Sequence, residues 1–167
     1  MKLEDLFEQA RGTYAGIRYD TPSKRAIHKY ISENKLPNAI RPDKVHTTLL
    51  YSRKHLPNYK PAGPISLTCH PKGFTVFQTR GEGPSTKALV LLLDCPELVK
   101  RHKELMAEHG ATYDFPTYEP HITFSYDLGD IDYTKLPAFT TPLHAVEEYA
   151  EDLDLNWATT KGVKKGG

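Results

Sequence analysis

Two stretches of the chain carry the same pairing of an imidazole with a hydroxyl: VHTTLLYS at 45–52 and PHITFSYD at 120–127. Residues i and i+2 of a strand share a face, so His46 points with Thr48 and His121 with Thr123. The opposite faces then carry Val45, Thr47, Leu49 and Tyr51 in one stretch and Ile122, Phe124 and Tyr126 in the other, as packing on a core requires. Each strand is anchored on one side and offers an imidazole and a hydroxyl on the other. Histidine titrates near neutral pH, so two such rings across a cleft can take a proton from a nucleophile and return one to a leaving group. Each such transfer is worth about 10²- to 10⁴-fold. The threonine hydroxyls can donate to the non-bridging oxygens of a phosphate as charge develops there. Phosphodiester cleavage needs those parts and no metal.

The pairing gains its weight from context rather than from count. With eight histidines in the chain, about one His-x-Ser/Thr is expected by chance. These two both lie in strand-like runs, continue with apolar or aromatic residues at matching offsets, and fall in opposite halves. The remaining histidines, His28, His55, His70, His102, His109 and His144, show no HxxxH or HExxH spacing, which disfavours a zinc hydrolase. GEGPSTK at 81–87 lacks the order of a phosphate-binding loop and reads as a flap-like connection. Cys69 and Cys95 lie in separate strand-like segments without CxxC spacing and read as buried thiols.

The elements that must position these residues follow from periodicity. Leu3, Leu6, Phe7 and Ala10 predict a short helix stopped by Gly12, and TYAGIRYD predicts a strand. Thr21 before Pro22 is the expected N-cap of a helix running through Ile27, Tyr30 and Ile31 toward Leu36. After the first histidine strand come three strand-like runs, ISLTCH, GFTVFQTR and KALVLLLD, then a helix from Pro96 to His109 closed by Gly110. The segment LHAVEEYAEDLDLNWA is ambiguous, with a strand favoured for its second half, and only the tail GVKKGG reads as disordered. The expected class is α+β, in two halves that each place helices against strands and contribute one histidine strand.

Length and composition bound the partners. A chain of 167 residues suits one domain, and its 22 Lys and Arg against 21 Asp and Glu give no field for gripping a long nucleic acid. A small anionic ligand needs only a local pocket. The longest apolar run, ALVLLL at 88–93, is too short to span a bilayer, and the start MKLEDLFEQAR is no secretory signal, so a soluble, cytoplasmic protein is expected.

The two HxT strands resemble the two-histidine phosphoesterase superfamily, in which two pseudo-symmetric lobes of mainly antiparallel strands with flanking helices face each other across a central cleft. From KLEDLFEQARGTYAGIRYD through both motifs to the acidic, Trp-containing end, the chain is most similar within it to the bacteriophage anti-CBASS cyclic-nucleotide phosphodiesterases. That resemblance implies one bilobal domain over residues 1–160 with a flexible tail at 161–167. It implies metal-independent, cofactor-free cleavage of 3′-5′ bonds in cyclic di- and trinucleotide immune signals such as 3′,3′-cGAMP, in the host bacterial cytoplasm. His46, Thr48, His121 and Thr123 are then catalytic, while Tyr14, Glu151 and Trp157 are expected to bind nucleobase and ribose. The competing readings are an RNA 2′,3′-cyclic phosphodiesterase or 2′-5′ RNA ligase-like enzyme, and a protein that sequesters a nucleotide without cleaving it.

Overall fold

In a computed structural model of the protein, which describes residues 11–78, 85–113 and 117–154, the run TYAGIRY becomes strand β1 (Arg11–Tyr19) and leads into helix α1 (Thr21–Glu33). The cap is Asp20, whose carboxylate accepts the Ser23 backbone N–H at 2.9 Å. It lies one residue before the expected Thr21, because a helix start needs a side-chain acceptor aimed at its orphan N–H groups, and Asp20 supplies it. The helix also stops short of Leu36: Lys35 and Asn38 take φ of 50° and 49°, outside the helical range.

Strand β2 (His46–Ser52), strand β3 (Gly63–Gln78), strand β4 (Lys87–Asp94), helix α2 (Pro96–His109), strand β5 (His121–Ser125) and strand β6 (Leu143–Asp154) come after it along the chain. Gly110 closes α2 at φ 60°, the left-handed cap that favours glycine. The runs ISLTCH and GFTVFQTR form one strand rather than two. Pro71, which lacks an N–H, falls where β3 changes partner: residues 63–69 pair with β6 and residues 70–78 with β4. The whole of Leu143–Asp154 is strand, including the part that its charges left ambiguous. Glu147 and Glu151 lie on one face, while Glu148, on the other, is buried against Arg101.

All pairings are antiparallel, in the order β2-β1-β6-β3-β4-β5, giving one open six-stranded sheet with two helices. The two expected sets of strands are therefore continuous with each other through β3. The helices brace across the halves. α1 sends Tyr30 into Phe74 of β3 and Phe124 of β5, at ring separations of 5.4 and 5.8 Å. α2 sends Arg101 onto Glu148 of β6 and His102 onto the Leu49 carbonyl of β2. Burial pushes the pKa of Glu148 up, but the Arg101 guanidinium, the Ala62 N–H and the Tyr59 hydroxyl outweigh it and hold it below the ordinary carboxylate value.

The outer edges of the sheet are occupied. Residues 38–40 lie along β5, with Ile40 N–H donating to Phe124 O and Tyr126 N–H to Asn38 O. On β2, the Tyr118 hydroxyl donates to Thr48 O and His102 Nδ1 to Leu49 O, both at 2.8 Å. Covering edges in this way removes free ladder groups. It also draws the two terminal strands of the order, β2 and β5, against each other. Among the described residues no helix is long and apolar enough to cross a membrane. The expected helix at the start of the chain, residues 81–84 of the expected flap and the tail at 161–167 lie outside the described residues.

Candidate functional site

β2 and β5 repeat one local design. Both begin at the histidine and bury the residues at offsets one, three and four, leaving the histidine and the threonine at offset two half-buried. In both, one residue is skipped by the neighbouring strand at offset three: Leu49 between the partners of Ala15 and Gly16, and Phe124 between those of Leu89 and Val90. Such a bulge re-aims the side chains beyond it. It corrects the expected faces of Tyr51 and Tyr126, which simple alternation assigned to the core; Ser52 and Ser125 are buried instead, and Tyr126 is exposed.

The imidazoles are fixed alike. His46 Nδ1 meets Lys44 O at 2.6 Å and His121 Nδ1 meets Glu119 O at 2.9 Å. A carbonyl oxygen only accepts, so each Nδ1 carries the proton and each Nε2 is left as the working nitrogen. β2 and β5 lie against each other, and the proton affinity of His121 is depressed, first by burial and to a lesser degree by charge on His46. The Glu119 carbonyl, accepting from Nδ1, pulls the other way.

The beds on which the two motifs rest differ. Around His46 the strand register builds a polar floor of three rows across β2, β1 and β6: His46, Arg18, Glu147; Thr48, Gly16, Tyr149; and Tyr51, Tyr14, Glu151. The Tyr14 hydroxyl lies 3.0 Å from Thr48 Oγ1, and its ring stands 6.0 Å from that of Tyr149. Burial, then the neighbouring Tyr149, pushes the Tyr14 phenol far above its ordinary value, so it remains a protonated hydroxyl. Glu151, exposed, stands beside Tyr14 in register. The Arg18 guanidinium lies 3.8 Å over the Tyr149 ring and bonds Glu147 at 2.7 Å. Around His121 the register partners are Leu92 for His121 and Val90 for Thr123, and the Phe77 ring stands edge-on to the imidazole at 5.0 Å.

Of the expected site residues, His46, Thr48, Tyr14 and Glu151 therefore share one face of the first half, and His121 with Thr123 approach from the second. Trp157 lies outside the described residues. Arg18, Gly16, Tyr149, Tyr51 and Phe77 were not singled out from sequence. Tyr14, Gly16 and Arg18 alternate along TYAGIR, and Glu147, Tyr149 and Glu151 along EEYAE, so period two carries the signal once residues 143–154 are taken as strand. The first-half floor offers hydroxyls, one guanidinium and two carboxylates to a polar ligand, and the pair of Nε2 atoms can move its protons. Among the described residues, no three His, Cys, Asp or Glu side chains are grouped to hold a metal ion.

Comparison with known proteins places these residues in a lineage. The model of the family described as "Anti-CBASS protein Acb1" matches residues 11–160. Proteins of that name from Acinetobacter phage Ac42 and Vibrio phage KVP40 are 39% and 36% identical over 160 and 157 residues, covering 94% of this chain in each case and 99% and 97% of the relatives. The one from Enterobacteria phage T4 is 31% identical over 158 residues, 95% of this chain and 97% of its own.

Proposed function

Because the chain belongs to the anti-CBASS protein Acb1 family, we propose that it counters CBASS antiphage defence by opening cyclic oligonucleotide signals, as a two-histidine phosphodiesterase whose halves act as two lobes around one phosphate. The observation that carries this reading is the matched pair of imidazoles, each with Nδ1 on the carbonyl two residues before it and Nε2 free for proton transfer.

The reaction follows from those two nitrogens. A ribose 2′-hydroxyl gives its proton to the neutral Nε2 of one imidazole, and its oxygen forms a bond to the adjacent phosphorus. The P–O5′ bond breaks with its electron pair on O5′, which takes the proton from Nε2 of the other, protonated imidazole. A linear molecule with a 2′,3′-cyclic phosphate and a 5′-hydroxyl results. Thr48 and Thr123 donate to the non-bridging oxygens as their charge grows. Charge on His46 disfavours a proton on His121, in keeping with the singly protonated pair that this scheme requires. No metal ion takes part. Tyr14 and Trp157 stack on bases and Glu151 accepts from a base edge or ribose hydroxyl. The reaction belongs in the cytoplasm of the infected cell, where a diffusible signal is met.

The test incubates the protein with cyclic dinucleotides such as 3′,3′-cGAMP, cyclic trinucleotides and short RNA, with and without excess chelator, beside His46→Ala and His121→Ala. Ring opening that survives chelator and is lost in both variants is expected. Binding without product would replace the enzyme by a sequestering protein, and product only from RNA ends would replace it by an RNA-end phosphodiesterase.

A further inference from the structure

One built feature of the polar floor has no part in the proton transfers between the two imidazoles. Arg18 stands opposite His46 on one side and Glu147 on the other. Its guanidinium is drawn toward β6, with Nη1 2.7 Å from Glu147 Oε1 and Cζ 3.8 Å from the centre of the Tyr149 ring. Half of the side chain remains exposed, at 50%. A guanidinium has five donors in a rigid fork, and Glu147 takes one of them, on Nη1, so the fork is oriented without being consumed.

Gly16 makes this arrangement possible. A Cβ at that position would lie 2.5 Å from Cζ and the hydroxyl of Tyr149, so only glycine lets the ring lie across the floor as the platform for Arg18. Glycine inside a strand weakens it, and its presence there marks a close approach. A solvated ion pair between Arg18 and Glu147 alone would not require it.

Position decides which anion the fork would meet. β2 and β5 end the strand order and lie against each other, so a phosphate held between His46 and His121 would sit on the flank of β2 away from β1. Arg18 lies on the other, above β1 and β6. An oligonucleotide threaded past His46 presents its neighbouring phosphate on that flank. Arginine forks match phosphate oxygens in a bidentate manner.

We infer that Arg18, seated on Tyr149 over Gly16 and steered by Glu147, forms a second phosphate subsite that holds the non-scissile phosphate of the cyclic substrate. The subsite rests on the phosphodiesterase reading and adds to it a requirement for at least two phosphates. Glu147 lowers the net charge there, so the fork selects an anion already tethered through the scissile phosphate over a free one.

The experiment measures steady-state opening of a 3′,3′-cyclic dinucleotide by wild type, Arg18→Ala, Arg18→Lys and Glu147→Gln, with thermal melting of each as the control for folding. Loss of a charge-assisted hydrogen bond predicts a rise in KM of about tenfold or more for Arg18→Ala, with kcat little changed. Arg18→Lys recovers part of the loss, restoring charge without the fork, and Glu147→Gln lowers KM. Wild type that fails to open the ring sinks the phosphodiesterase reading and the subsite with it. Wild-type turnover with an Arg18→Ala KM within about twofold, or with an equal fall in kcat, overturns the subsite alone.

Discussion

Around His46 the exposed face of the sheet is polar, and buried polar pairs are set into the apolar core beneath it, whereas around His121 the neighbours on the exposed face are apolar and the core beneath is aromatic. Beside His46 lie Arg18, Tyr14, Tyr149, Glu147 and Glu151, and beneath that half Arg101 locks onto the buried Glu148 while the Tyr19 hydroxyl meets Thr47 at 2.6 Å. Beside His121 lie Leu92, Val90 and Phe77, and beneath it Tyr30, Phe74, Phe124 and Phe139 pack ring to ring. The same backbone device, a histidine tied to the carbonyl two residues back and a bulge at offset three, is thus set in two dielectrics. What differs is the work each surrounding can do. The polar floor can recognise a ligand, and the apolar wall can set the protonation state of a ring.

The largest effect tests whether the two motifs are equally needed despite their beds. His46→Ala and His121→Ala are each expected to lower kcat by about 10²- to 10⁴-fold. Their combination should fall far short of the product of the two, because each proton transfer is useless without the other. Multiplicative loss, read from single-turnover rates, would mean that the rings act in separate events.

Next comes stability, where breaking the charged brace of the first half should cost more than removing the one hydroxyl bond of the aromatic brace in the second. Arg101→Met leaves the Glu148 carboxylate buried without its bidentate partner, at 2.9 Å in both bonds, and should cost about 3–5 kcal/mol in denaturant unfolding. Tyr30→Phe keeps its ring contacts and loses only the hydroxyl's bond to Pro137 O, which should cost about 0.5–1.5 kcal/mol. Equal costs would show that the contrast between the halves is cosmetic.

The periodicities that located this contrast were partly visible in the chain. Strict alternation in HTT and HIT assigned His46, Thr48, His121 and Thr123 to their faces, and Pro96 and Gly110 bounded the second helix. Tyr51 and Tyr126 were assigned wrongly because a bulge is a property of two strands: one strand's sequence does not record which residue its neighbour skips. The capping of α1 depended on which oxygen reaches the Ser23 N–H, and Asp20 and Thr21 are both good caps. Arg18 and Tyr149 escaped notice because their meeting joins residues far apart in sequence, across a glycine whose role is visible only once the ring above it is placed.

A third, smaller effect sharpens the comparison at the hydroxyls. Removing a donor to the developing charge by Thr48→Val or Thr123→Val should each cost about 10²-fold in kcat. Tyr14→Phe should cost less, since its hydroxyl reaches Thr48 Oγ1 at 3.0 Å and orients it. If that bond is the route, Tyr14→Phe adds almost nothing to Thr48→Val yet multiplies with Thr123→Val. A double-mutant cycle reads the difference, and additivity in both combinations would detach Tyr14 from Thr48.

The smallest effect concerns the proton on His121. Its pKa lies below the ordinary 6.5, with burial as the first cause and charge on His46 as a lesser one. In the pH range just below 6.5 the unfolded chain therefore binds a proton that the native His121 does not, so stability from this group falls as pH falls through that range. For catalysis the same depression keeps Nε2 of His121 a proton acceptor at lower pH. Opening the apolar wall with Leu92→Asn or Phe77→Ser should raise the pKa of His121, seen by NMR titration of its labelled ring, and move the acid limb of kcat/KM upward. His46→Gln should raise that pKa by less, because it removes only the lesser cause. A larger rise in His46→Gln than in the wall variants would transfer control of the proton from the apolar bed to the opposing ring, and the division of labour between the two halves would then be one of charge alone.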